Sequence, residues 1–302
     1  MASTLHGSHF LKASLLALAT GLAAAACASA DDEVNLGAKE AAGETYMLEQ
    51  TPPAGYELVW ADEFNGEGLP DASKWAYDTH ANKGGWYNDE LQYYADARLQ
   101  NSRQEDGVLV IEAHREELAQ EDDWGGQEFT SARLITEGRQ SWQYGFFEIR
   151  AKVPCGYGVW PAIWMLSDSD LGWPDGGEID IMEHVGTEPD TVYGTVHTRD
   201  YTHSKGTGRG SKIDLPTACE AFHDYQLHWT KDRIEIGVDG EIFFALDNDG
   251  TGTGSWPFFD PQYLLMNVAV GGWGGNDESK IAETEFPVRM EVDYVRVWQE
   301  AE

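Results

Sequence analysis

The sequence predicts an all-β protein, built as a sandwich of antiparallel sheets. After residue 56 the chain shows short apolar runs separated by Gly, Pro, Asn and Asp, with few long amphipathic helical periods. Asp239-Gly240, between two such runs, is a strong β-hairpin signal. The predicted strands are residues 57–60, 108–112, 132–136, 145–152, 159–166, 225–229, 233–238, 241–246, 263–270 and 290–298.

Length and charge narrow the class of protein. With 302 residues and 41% hydrophobic content the chain supports a sizeable core, and we assign residues 56–300 to one domain. Its 20 basic and 53 acidic residues give a net charge of −33. This charge argues against nucleic acid or an anionic membrane as partner, and more weakly against sulphated polysaccharides. A neutral polysaccharide is not repelled, and we expect a monomer.

The N-terminal segment predicts export. Residues 1–27 are weakly basic up to Lys12 and then carry no charge from Ala13 to Ala26. This apolar run is shorter than the roughly 20 residues of a membrane span, but it suits a secretory signal.

Two endings of the signal remain open. The small residues up to Ala30 suit ordinary signal peptidase, whereas Ala-Ala-Ala-Cys at 24–27 resembles a bacterial lipobox in which Cys27 carries lipid. The mature protein is then either extracellular or anchored to the bacterial envelope as a lipoprotein. The acidic residues 28–55 lack a sustained apolar period and predict a disordered tether.

Residues 176–184, Gly-Gly-Glu-Ile-Asp-Ile-Met-Glu-His, bring three acids close together in sequence. On a helix, at about 100° per residue, Glu178 would face away from the other two acids. On a regular strand Glu178 and Asp180 share a face, but Glu183 points the opposite way. One extra residue at Ile181 or Met182, a β-bulge, returns Glu183 to the same face. We therefore predict a bulged strand with three acids on one side.

Three adjacent acids repel one another, and glycoside hydrolysis uses the resulting spread of pKa values. A retaining glycosidase needs an ionised nucleophile and a protonated acid about 5 to 5.5 Å apart. Glu178 and Glu183 fit these roles, with Asp180 between them to orient Glu178. A calcium site or a solvated acidic edge is the alternative. The apolar residues Ile179 and Ile181 favour a strand with a buried back face.

Several motifs together resemble glycoside hydrolase family 16. They are residues 176–184, called the acid strand below, and the segments Asn-Asp-Glu-Leu-Gln-Tyr-Tyr (88–94), Gly-Val-Trp-Pro-Ala-Ile-Trp-Met-Leu (158–166), Gly-Thr-Val-His-Thr (194–198) and Val-Asp-Tyr-Val-Arg-Val-Trp (292–298). The extra Met is similar to the bacterial endo-β-1,3-glucanase (laminarinase) branch. The resemblance implies a concanavalin A-like β-jelly roll with a concave substrate cleft. It also implies that Glu178 is the nucleophile and Glu183 the acid/base.

The resemblance further implies a set of sugar-binding residues. Aromatic residues make up 12% of the chain, more than a core requires, and sugar rings stack on flat apolar faces. A core role for some Trp, a structural role for His197 and an ion pair for Arg133 are the alternatives. The sequence departs from the family at Trp273, because relatives usually place a residue between Gly272 and Trp273. The candidates are Asn88, Glu90, Arg133, Trp160, Trp164, Trp173, His197 and Trp273.

Two further sites are predicted. In an exported protein Cys155 and Cys219 are expected to form a disulfide. The resemblance also implies a structural calcium ion held by Glu63, Gly107 and Asp293, with no cofactor needed for catalysis.

Together these features predict a secreted retaining endo-glycosidase that cleaves internal β-1,3 bonds of laminarin-type glucans. Three alternatives remain. They are a mixed-linkage β-1,3-1,4-glucanase, a transglycosylase on the same fold, and a non-catalytic glucan-binding module. A binding module has no use for mutually repelling acids, which argues against the last of these.

Overall fold

The structure of the protein, a computed structural model, describes residues 52–301. The predicted export signal, the lipobox at Cys27 and most of the predicted tether lie outside the described residues. None of the helices within 52–301 has the length and apolar character needed to cross a membrane.

The regular secondary structure of the described residues is almost entirely β-strand, so the all-β prediction is confirmed. The helical elements are short: a helix α1 (Glu278–Ile281) and two 3₁₀ turns (His203–Lys205 and Gly272–Gly274). The strands are β1 (Tyr56–Asp62), β2 (Ala76–Tyr77), β3 (Gln92–Tyr94), β4 (Ser102–Glu105), β5 (Val108–Ala113), β6 (Phe129–Ser131), β7 (Arg133–Ile135), β8 (Gly145–Lys152), β9 (Val159–Ser167), β10 (Glu178–His184), β11 (Thr191–His197), β12 (Arg209–Asp214), β13 (His223–Trp229), β14 (Arg233–Val238), β15 (Glu241–Asp247), β16 (Gln262–Val270) and β17 (Val288–Glu300).

Two large antiparallel sheets carry the fold, as a jelly roll requires. The eight-stranded sheet has the order β15-β14-β13-β8-β17-β5-β4, with β1 also paired to β17. The seven-stranded sheet has the order β12-β11-β10-β9-β16-β7-β2. A parallel pair, β3 and β6, lies outside both sheets. The acid strand β10 is therefore near the middle of the seven-stranded sheet, between β9 and β11.

Side chains alternate between the two faces of the seven-stranded sheet, so one face packs into the core and the other carries the site. On β9, Ile163 and Met165 are fully buried in the core cluster, together with Phe147 and Ile149 of β8. The alternate residues of β9 point to the other face of the seven-stranded sheet. That face carries Trp160 and Trp164, both only partly buried.

The predicted Asp239-Gly240 hairpin is present and joins β14 to β15. Val238 pairs with Glu241, so two residues form the turn. Asp239 and Gly240 have φ values of 49° and 81°, the left-handed pair that a tight hairpin turn requires.

Candidate active site

A β-bulge in β10 brings the three acids to one face. Asp180 pairs with Thr195 on β11, but the next pair is Glu183 with Tyr193, so β10 advances three residues while β11 advances two. On the other side, the register of β10 against β9 shifts between Asp180 and Met182. The consecutive residues Ile181 and Met182 are both fully buried in the core cluster. The extra residue thus lies where the sequence pattern predicted it.

The acids lie in a largely dry setting and not on a solvated edge. Asp180 is 3% exposed and Glu183 is 8% exposed. The Thr195 hydroxyl lies 2.6 Å from Asp180 Oδ2 and 3.3 Å from Glu183 Oε2, within hydrogen-bond reach of both. Trp160 Nε1 donates to Glu183 Oε1 at 3.2 Å. Neighbouring strands on both sides therefore fix the position of the Glu183 carboxyl.

His197 completes the cluster from β11. Its Nε2 atom lies 3.4 Å from Asp180 Oδ2 and 3.9 Å from Glu178 Oε1. Burial lowers the pKa of His197, but the hydrogen bond and the charge of Asp180 outweigh this effect and raise it to about 9. His197 is therefore an imidazolium at neutral pH, placed on the Glu178 side of the cluster.

The two glutamates have raised pKa values. Burial, followed by the charge of Asp180, raises the pKa of Glu178 well above its usual range. Burial, followed again by the charge of Asp180, raises the pKa of Glu183 to about 8. Because the groups repel one another in a low-dielectric site, the cluster retains a proton at neutral pH. A cluster with both a proton and negative charge has the components of acid and nucleophilic catalysis.

A chain of hydrogen bonds joins Glu90 to Trp164 across three elements. Trp164 Nε1 donates to Asn267 Oδ1 at 2.8 Å, and Asn267 Nδ2 donates to the Tyr94 hydroxyl at 3.0 Å. That hydroxyl donates to Glu90 Oε2 at 3.4 Å, and Gln92 Nε2 donates to the same oxygen at 2.8 Å. Two of the predicted sugar-binding residues, Glu90 and Trp164, are thus brought into one network.

Arg133 is placed in the alternative role considered for it, an ion pair. Its Nε atom lies 3.1 Å from Asp78 Oδ2, and its side chain is only 8% exposed. The guanidinium lies 4.6 Å from the Trp164 ring centroid and 5.0 Å from that of Trp86. Arg133 therefore holds Trp164 in place by stacking on it.

The remaining aromatic candidates lie on loops around the acids. Trp173 is 60% exposed, and its ring is 6.4 Å from that of His197. Trp273 packs at 5.8 Å edge-on to Trp160 and at 4.8 Å from Tyr193. Asn88 is exposed beside the Trp273 turn. These contacts gather aromatic residues from three loops or strands around the catalytic face.

Most of the sequence matches a known family. Residues 91–296 match the family model described as glycosyl hydrolases family 16. The chain belongs to this family. A β-glucanase of Rhodothermus marinus is 49% identical over 254 residues, which cover 81% of this chain and 85% of that protein.

Solved structures of family 16 enzymes have the same fold. A non-specific endo-β-1,3(4)-glucanase is 54% identical, with a TM-score of 0.80 over 83% of this chain and 93% of that one. The laminarinase catalytic domain of Thermotoga maritima is 40% identical, with a TM-score of 0.72 over 82% and 99% of the two chains. The protein is therefore a glycoside hydrolase with the jelly-roll fold that the sequence predicted.

The predicted cysteine pair is bonded in this family 16 enzyme. Cys155 and Cys219 form a disulfide with their Cα atoms 5.7 Å apart, closing a loop of 64 residues. His184 Nε2 lies 3.9 Å from both sulfurs and within hydrogen-bond distance, 3.0 Å, of Pro189 O. Since His184 follows Glu183 directly, the disulfide supports the end of the catalytic strand.

Two of the predicted calcium ligands make ion pairs with arginines. Both oxygens of Glu63 accept hydrogen bonds from Arg296 at 2.8 Å. Asp293 Oδ2 lies 3.2 Å from Arg150 Nε. Gly107 occupies the turn between β4 and β5 with a φ of 81°. The structural calcium ion stays a prediction, and binding it at these carboxylates would require it to compete with the two arginines.

Two residues of the site were missed by the sequence analysis. Thr195 contacts two of the acids, and Asn267 links Trp164 to Tyr94. Thr195 lies two residues before His197, in a motif already recognised, so its place on the same strand face was a usable signal. Asn267 gave no comparable signal, because its role depends on β16 pairing with β9.

Proposed function

We propose that this family 16 enzyme hydrolyses internal β-1,3-glucosidic bonds of laminarin-type glucans with retention of configuration. The observation that carries the proposal is the bulged strand, with Glu178, Asp180 and Glu183 on one face beside a cationic His197. The names of the relatives support the substrate, since laminarinases and β-glucanases are among them. A neutral glucan also suits a chain with a net charge of −33.

We assign the two roles from the family resemblance, which makes Glu178 the nucleophile and Glu183 the acid/base. His197 lies 3.9 Å from Glu178, and its positive charge favours an ionised Glu178. Asp180 raises the pKa of both glutamates, so the pair shares the retained proton, and this assignment places it on Glu183 in the reactive state. In the first step Glu183 protonates the leaving oxygen while Glu178 attacks the anomeric carbon, breaking the glycosidic bond. Glu183, now a carboxylate, takes a proton from the water that hydrolyses the glycosyl-enzyme ester.

Substitution of each glutamate tests this assignment. Glu178→Ala and Glu183→Ala should each lose laminarin hydrolysis by several orders of magnitude, measured as reducing ends released. Added azide should then attack an activated glucoside to give the α-glycosyl azide with Glu178→Ala and the β-glycosyl azide with Glu183→Ala. Glu241→Gln, at an exposed position on β15, is the control and should retain wild-type activity. Exchanged azide products would reverse the two roles.

A specific observation also favours mixed-linkage glucan as a second substrate. The non-specific endo-β-1,3(4)-glucanase is 54% identical to this chain, against 40% for the Thermotoga maritima laminarinase domain. A variant of that glucanase holds 1,3-β-D-cellobiosyl-glucose at its active site. Initial rates on laminarin and on mixed-linkage β-glucan decide between the two substrates. Product sizes followed over time decide between hydrolysis and transglycosylation, because a transferase also makes longer chains.

We further propose that the protein is exported and acts outside the cell or on the bacterial envelope. The uncharged run after Lys12 and the sequence Ala-Ala-Ala-Cys at 24–27 support this. Labelling with a fatty-acid analogue in a bacterial host should mark the wild-type protein and not Cys27→Ser. Unlabelled but secreted wild-type protein would favour ordinary signal peptidase.

A further inference from the structure

Trp273 reaches from one side of the acid/base residue to the other. Trp160, which donates a hydrogen bond to Glu183, meets the Trp273 ring edge-on at 5.8 Å and 86°. Tyr193, which is opposite Glu183 on β11, has its ring centroid 4.8 Å from that of Trp273. One indole ring thus contacts the neighbours of Glu183 on both adjacent strands.

A glycine-rich turn holds the indole in this position. Gly271 and Gly272 have φ values of 84° and 55°, and a Cβ atom at Gly272 would come within 3.0 Å of the Trp160 ring. Gly272 N donates to Asn276 Oδ1 at 2.9 Å, which closes the turn. With the backbone in this turn, the Trp273 ring packs edge-on against Trp160.

We propose that Trp273 is a positioning residue that packs across Trp160 and Tyr193, shields Glu183 from water, and so keeps the acid/base carboxyl protonated in the resting enzyme. The proposal rests on the function proposed above, since it assigns a role to Trp273 in the acid step. It differs from the sugar-stacking role that the family resemblance implies for this residue.

The electrostatics of Glu183 show why shielding matters. Burial is the largest cause of its raised pKa, and the charge of Asp180 is the second. The hydrogen bonds from Trp160 and Thr195 act in the opposite direction, because they favour the carboxylate. Several ionisable groups face Glu183 or its neighbours. They include Asp180 and Glu178 on β10, His197 and Tyr193 on β11, Lys212 on β12 at 5.5 Å from the Tyr193 ring, Glu188 beside Tyr193 and Lys212, and His203 beside the His197 ring.

Loss of the indole should therefore lower the pKa of Glu183. Water admitted to the carboxyl stabilises its charged form and screens Asp180, so both leading causes of the raised pKa weaken. A residue that only stacks on sugar would behave differently. Its removal would raise KM and leave the titration of the substrate-free protein unchanged.

The experiment compares Trp273→Ala and Trp273→Phe with the wild-type chain. The carboxyl signal of Glu183 is followed by NMR in free, ¹³C-glutamate-labelled protein, with Glu183→Gln used for its assignment. We expect the apparent pKa of Glu183 to fall by about one unit in Trp273→Ala, and by less in Trp273→Phe, which keeps a ring. The alkaline limb of kcat/KM on laminarin should move to lower pH by the same amount.

Trp173→Ala is the matched control, because it removes an exposed indole from the other edge of the site. It should raise KM without moving the Glu183 titration or the alkaline limb. An unchanged Glu183 titration in folded Trp273→Ala would overturn the inference. If KM also rose, the result would support a sugar-stacking role for Trp273. If Trp273→Ala does not fold, Trp273→Phe gives the same test with a smaller shift. Because the titration needs no substrate, failure of the inference is distinguishable from a wild-type protein that does not hydrolyse glucan.

Discussion

The hydroxyl of Thr195 offers a sharp test of how the acid cluster is held. It lies 2.6 Å from Asp180 Oδ2 but 3.3 Å from Glu183 Oε2, so its single proton is donated mainly to Asp180. Thr195→Val keeps the shape of the side chain and removes only this donor. A hydrogen bond to a charged group contributes about 1.5–3 kcal/mol, and Asp180, at 3% exposure, has little water to replace it.

The expected loss follows from this free energy. Loss of the Thr195 hydrogen bond destabilises the charged Asp180 carboxylate that the active enzyme requires. If this whole free energy is lost from the transition state, kcat/KM should drop roughly 10- to 100-fold. The assay is initial-rate hydrolysis of laminarin across pH 4 to 10, with thermal unfolding measured in parallel. Thr195→Ser should recover most of the activity, because it restores the donor.

Thr191→Val, on the same strand but away from the acids, is the control and should stay close to wild type. A Thr195→Val enzyme within twofold of wild type, with unchanged Tm, would refute this account. It would mean that His197 and the backbone fix Asp180 without help from Thr195.

Three further predictions concern charge, covalent structure and the bulge. Because the pKa of His197 is raised to about 9, its ion pair should stabilise the fold fully below pH 6.5, by up to about 3 kcal/mol, and lose this effect as pH rises through 9. The Tm difference between wild type and His197→Gln should therefore shrink towards pH 10, and a constant difference would contradict the ion pair. Replacing Cys155 and Cys219 together by Ser should lower the free energy of unfolding by about 4 kcal/mol in urea titrations, as a 64-residue loop implies; a loss below about 1 kcal/mol would contradict this. Deleting Met182 should leave three acids on one face in a regular strand and retain measurable activity, whereas deleting both Ile181 and Met182 should leave an odd spacing, turn Glu183 into the core and abolish activity. Equal activity of the two variants would contradict the role of the bulge.

The bulge in the acid strand could be predicted from the sequence. Residues that alternate with period two must share a face, so the spacing of Glu178, Asp180 and Glu183 already required one extra residue between the last two. The structure has that extra residue, with Ile181 and Met182 both buried. The Asp239-Gly240 turn was equally readable, because its left-handed backbone is a local property of those two residues.

Several contacts between distant segments could not be predicted from the sequence. The calcium prediction placed Glu63 and Asp293 around a metal, but nothing in the sequence indicated that Arg296 and Arg150 would pair with them. Arg133 was open between a sugar contact and an ion pair. Only the position of Asp78, more than 50 residues earlier in the chain, shows the pair.

The sequence by itself determined the strand pattern, the hairpin and the β-bulge that brings the acids together, because each depends on side-chain alternation or turn conformation within a few residues. The tertiary structure alone decided which groups surround those acids. Strand order places Thr195 and His197 on one side of β10 and Trp160 on the other, and a loop from far along the chain brings Trp273 beside them. The pKa of Glu183 depends on burial by these neighbours and on their charges, so its protonation is a property of the folded sheet.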